Sequence, residues 1–222
     1  MKMVLSGMLV MMASYTAIGQ HTPKRATRNE SFEKFDIEDF EVKRAQSVEG
    51  GKNLNHFQLA DSTEIFRAGY TGYYTDEQIP PKPSFFKHYK EFYLSGFIKV
   101  RGISFGNLTI GANGVKVGKW IYFDEIGNVM KTVDEDAKFG RFDCKEVLAF
   151  LDKESLIDVK TGKNRDKIKA FFEVLENGRK IWIVEVITDF LADAYKKGWK
   201  YKLDGDSGKV LEKSTLNISY TN

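Results

Sequence analysis

Few residues in this chain are of types that do chemistry, and they stand apart. The single cysteine, Cys144, and the three histidines, His21, His56 and His88, fall in different segments. A thiol nucleophile needs a base beside it, and a zinc site needs ligands at short fixed spacings. The sequence offers neither pattern. Cys144 sits on an apolar helical stripe and reads as a buried structural thiol. Carboxylates gather at Asp124-Glu125 and Asp134-Glu135-Asp136. Acid–base catalysis would need two of them held in unlike environments in a cleft; on hairpin strands they read as a solvated face. Asp204-Gly205-Asp206-Ser207-Gly208 places oxygens at the first and third positions of a calcium loop, with Glu212 at the ninth. Gly208, Lys209 and Thr215 then occupy its fifth, sixth and twelfth positions and break the pattern, so the stretch reads as a hairpin turn. The Gly-rich run 104–118 lacks the Gly-Lys-Ser/Thr ending of a phosphate loop. The expectation is no catalytic residue, no cofactor, no metal and no enzyme.

The composition is that of a folded chain. Of 222 residues, 14% are aromatic and 42% hydrophobic, more aromatic than a disordered chain would be. Lys and Arg number 34 against 31 Asp and Glu, too small a margin to imply nucleic acid. Lys24, Arg25 and Arg28 add only a short basic run near the start.

Residues 1–19 have the order of a secretory signal: Lys2, then an apolar stretch, then Ala17 and Gly19 at the −3 and −1 positions of a cut before Gln20. Cleavage would leave 203 residues with one thiol, no intramolecular disulfide and no membrane span. Residues 20–34 are polar and read as a flexible leader. Residues 35–79 are expected to be β-rich. Phe35, Ile37, Phe40 and Val42 suggest a short strand or one helical turn, and NLNHFQLADSTEIFRAGY alternates about a turn at Asp61-Ser62. Pro80, Pro81 and Pro83 form a stiff connector.

Residues 80–140 repeat themselves. Tyr89, Phe92, Gly96 and Ile98 are matched 31 residues later by Trp120, Phe123, Gly127 and Val129, so two aromatic-bearing hairpins should stack. Tyr122 lies beside Trp120 in the second unit, where the first has Glu91. Trp120 and Tyr122 should share one strand face, with Phe123 on the other. Trp120 and Tyr89 should stack between neighbouring hairpins. The stretches FYLSGFIKVRG and VGKWIYFDEIGNVMKTV resemble the bacterial variant of the MORN repeat, including its antitoxin-type units. That resemblance implies protein contact or a structural spacer. Its candidate structural and interaction residues are Tyr89, Phe92, Gly96, Trp120, Tyr122, Phe123 and Gly127.

Residues 141–222 open with a helix. Asp143 and Glu146 form a capping-box pair, and Cys144, Val147, Leu148 and Leu151 form a helical stripe. Hairpins come next: 168–175 with 181–187 across Asn177-Gly178, an insertion or short helix over 189–197, then 199–203 with 209–216. The runs WIVEV and YKLDGDSGKVL are similar to PepSY-type domains, which implies an inhibitory or regulatory module of the bacterial envelope.

The fold class expected is therefore α+β, mostly antiparallel β: MORN-like hairpin repeats followed by a PepSY-like helix and antiparallel sheet. The function expected is a periplasmic or secreted, non-enzymatic module that binds an unidentified protein or envelope component. One alternative is an inhibitor or immunity-type protein that blocks a secreted enzyme or peptidase. A hydrolase is the reading from a different class, and the lack of a nucleophile–base cluster argues against it.

Overall fold

The computed structural model describes residues 33–109, 111–192 and 195–219. The expected export signal and most of the leader lie outside the described residues. The described chain is mostly antiparallel β in two sheets, with two α-helices.

The first helix, α1 (Ile37–Gly50), corrects the expectation of a strand or single turn over these residues. Asp36 caps it by accepting the Asp39 amide at 2.9 Å, and Glu38 and Asp39 complement the dipole of its first turn. Phe40 is its one buried residue. A helix held by a single anchor leaves no wide apolar stripe in the sequence, so periodicity does not reveal it.

Seven strands then run in chain order as one antiparallel sheet: β1 (His56–Gln58), β2 (Glu64–Tyr70), β3 (Tyr73–Ile79), β4 (Phe86–Tyr93), β5 (Ile98–Phe105), β6 (Val115–Phe123) and β7 (Val129–Asp134). The β1–β2 turn spans the expected Asp61-Ser62, with Ser62 at φ 70°. The sheet continues across residue 80 without a break.

A 3-10 turn, Glu135–Lys138, leads to the second helix, α2 (Cys144–Lys153). Its capping box is formed on both sides: Asp143 accepts from the Lys145 amide, and Glu146 accepts from the Asp143 amide. Four more strands make the second antiparallel sheet, in the order β11-β10-β9-β8: β8 (Ile168–Val174), β9 (Lys180–Ala192), β10 (Tyr195–Asp204) and β11 (Val210–Ser219). The expected insertion or short helix over 189–197 is instead mostly continued strand, with Tyr195 paired to Ala192 and Lys196 to Phe190. Pairing with a neighbouring strand outweighs the helix-favouring Leu and Ala there.

The two sheets and α2 share one apolar core. Phe105, Val115 and Val117 of the first sheet meet Val147, Leu151 and Trp182. The Trp182 ring stacks on Phe139 at 5.0 Å, and its Nε1 donates to the Phe142 carbonyl at 2.8 Å. A smaller core seats α1: Phe35 and Phe40 pack on Phe92, Ile98 and Phe123. Both cores lie on the same face of the seven-stranded sheet, as the cross-strand register requires.

Candidate functional site

The other face of the seven-stranded sheet carries an aromatic and cationic stripe. Cross-strand pairing places Tyr89 opposite Gly102, and Trp120 meets Tyr89 over that glycine. Their rings stack at 5.9 Å and 25°, as the 31-residue spacing predicts. A Cβ at Gly102 would fall inside the Trp120 indole, so the glycine is what lets the two rings meet. Trp120 is 4% exposed, and its Nε1 donates to the Ile103 carbonyl at 3.0 Å.

Lysines cap these rings. The Lys116 ammonium lies 4.1 Å from the Trp120 centroid and hydrogen-bonds the Tyr122 hydroxyl at 3.3 Å. Lys131 stands 4.6 Å over Tyr122, and Lys99 stands 5.6 Å over Tyr73. Cation–π contacts of this kind hold a lysine over a ring while leaving its charge in solvent. Tyr73 in turn stacks on Tyr70 at 4.7 Å, at the far end of the stripe. Glu91 pairs with Lys99 and accepts from the Tyr89 hydroxyl at 3.2 Å. Burial, reinforced by the Glu91 carboxylate, raises the Tyr89 phenol above its ordinary range.

The seven residues singled out from the sequence divide by position. Tyr89, Trp120 and Tyr122 lie on this face. Phe92 and Phe123 are buried on the opposite one, in the core that seats α1. Gly96 and Gly127 are turn residues at φ 82° and 86°, where a side chain would be strained. The Gly96 carbonyl also accepts the Phe35 amide at 2.8 Å.

Sequence reading misses Tyr70, Tyr73 and the three lysines, because a lysine over a ring has no linear signature. It also misses a buried ion pair next to the stripe. Lys87 and Glu77 meet at 3.0 Å beneath the loop that joins β5 to β6. Lys87 Nζ donates to the Ala112 carbonyl at 2.8 Å, and Glu77 accepts the Gly111 amide at 3.0 Å. The pair therefore fastens that loop to the sheet. Ser104 Oγ lies buried on the same face with no hydrogen-bond partner among the described residues.

Elsewhere the candidates take structural positions. Cys144 is buried, and burial first, then the Asp143 and Asp136 carboxylates, push its thiol up to about 12. Asp204 organises the β10–β11 turn, accepting from the Ser207 hydroxyl at 2.8 Å and from Arg179 at 3.1 Å. His56 pairs with Glu64 across β1 and β2. No helix among the described residues is long and apolar enough to cross a membrane. The chain matches no family model, no curated protein and no solved structure.

Proposed function

We propose that this chain is an exported, non-enzymatic binding module of the MORN-like and PepSY-like kind, which contacts a protein or envelope component through the aromatic–lysine face. The observation that carries the reading is the set of half-exposed Tyr73, Tyr89 and Tyr122 with Lys99, Lys116 and Lys131 on one sheet face. Tyrosine offers large, rigid, amphipathic contact area, and the lysines add charge for orientation. The strands beneath hold these side chains in place before contact, so little ordering cost is left for binding.

The test is capture from envelope extract with the mature chain and with Tyr122→Ser and Lys131→Glu variants of unchanged melting temperature. Specific capture that both substitutions abolish supports the face. Capture indifferent to both places the contact elsewhere.

A further inference from the structure

We infer that the face of the seven-stranded sheet opposite the aromatic stripe carries a binding site for a phosphate monoester, in the depression between the two cores. This depression, of about 180 Å³, is lined by His88, Lys90, Arg101 and Lys119 around an apolar floor of Ile103 and Ile121.

Like charges face each other across the strands here. Lys90 on β4 stands directly opposite Arg101 on β5, an arrangement that destabilises a sheet. Glu33 offsets Lys90, whereas no carboxylate among the described residues is bonded to Arg101, and a charge left unmatched in this way marks a functional position.

The nearby carboxylates are engaged elsewhere or by Lys90 alone. Lys90 pairs with Glu33. Asp76, opposite Lys90 on β3, is engaged by Arg67 at 3.2 Å and by Gln78 at 2.9 Å. Asp134, opposite Lys119 on β7, accepts the Asp136 amide at 3.1 Å. Among the described residues no carboxylate is bonded to His88, Arg101 or Lys119. Arg101 instead lies 5.5 Å from the Phe123 ring centroid, which leaves its donors without an anion among those residues.

The chemistry of the cluster selects the ligand. An arginine fork and two lysines around one spot exceed what a single carboxylate neutralises and suit a dianion bound partly bidentate. The Ile103 and Ile121 floor fits an apolar body attached to that group. Such a phosphate could belong to a small soluble ester or to the headgroup of a lipid; the recognition is the same.

Two probes separate these sources: phenyl phosphate in solution, and vesicles containing phosphatidate, each titrated at low ionic strength. The wild type is expected to show saturable binding to at least one. Arg101→Gln should weaken it at least tenfold and Lys119→Gln several-fold. Lys131→Gln, on the opposite face, should leave it unchanged, and all variants should keep the parent melting temperature. Binding of phenyl phosphate assigns a soluble ester, and binding of vesicles alone assigns a headgroup. No saturable binding of either probe, or binding that survives Arg101→Gln, overturns the proposal. Partner capture through the aromatic face is read separately, so the two proposals fail independently.

Discussion

The Trp120 indole occupies the space a side chain at Gly102 would need, one strand away and on the same sheet face. Gly102 has no positive φ to justify it, so its role is room rather than backbone conformation. The Tyr89–Trp120 stack exists because β5 is bare at this point.

Gly102→Ala is therefore expected to destabilise the protein by overpacking, roughly 1–3 kcal/mol. Trp120→Leu should relieve the clash. The double variant should then lose less than the sum of the two single ones in chemical denaturation. Additive losses would mean the two positions are not in contact.

Trp120→Ala removes a buried ring and strands the Ile103 carbonyl. The expected loss is about 3–5 kcal/mol, seen as a clear drop in melting temperature. Tyr122→Ala, at a half-exposed position, should cost far less. An unchanged melt for Trp120→Ala would refute its place in the packed layer.

Lys87→Met leaves the Glu77 carboxylate buried without its cation and the Ala112 carbonyl without its donor. Breaking a buried pair on one side costs about 3–5 kcal/mol. The Gly111 amide, which donates to Glu77, should then exchange its hydrogen faster. Protection at Gly111 equal to the parent's would show that the pair does not fasten the loop.

Cys144 has its thiol pushed up to about 12, chiefly by burial. Its protonated form is favoured in the folded state, so this contribution to stability is full below the unfolded pKa, about 8.5. It fades as pH rises from there towards 12. A disulfide reagent at pH 8 should label Cys144 slowly in the native protein and quickly in denaturant. Fast native labelling would contradict the burial.

Asp204 is held down to about 2, first by the Ser207 hydroxyl and amide and then by Arg179. Its ionised form is favoured in the folded state. Its contribution to the turn is present above about pH 4 and is lost as pH falls through 2. A carboxyl NMR titration of Asp204 should show the low midpoint, and Ser207→Ala should move it upward. A midpoint near 4 in the parent would rule out the Ser207 and Arg179 contacts.

A structural feature is legible in the sequence where its signal is local. Alternation about Asp61-Ser62 marks β1 and β2, the repeated aromatics with turn glycines Gly96 and Gly127 mark the β4–β5 and β6–β7 hairpins, and Asp143 with Glu146 marks the start of α2, because each involves residues a few positions apart. The 31-residue spacing places Tyr89 and Trp120 in register, since a repeated hairpin length fixes which residues face each other. The length of α1 is not legible: one buried Phe40 gives no period, and the helix is set by packing on Phe92 and Phe123 more than fifty residues away. The strand over 189–197 is hidden for a similar reason, its backbone partners lying on β9 and β10 rather than in its own composition.

Amino-acid order alone is enough to establish that the chain folds, that its middle is antiparallel hairpins, and that its few reactive residue types stand apart. Three-dimensional packing is needed to settle which lysine covers which ring, that Gly102 makes room for Trp120, and that Lys87 and Glu77 are buried together. It also brings His88, Lys90, Arg101 and Lys119 around one depression. The physical reason is that strand pairing fixes neighbours along a sheet. The face a charged side chain meets, and what covers it, depend on how distant segments pack over that sheet.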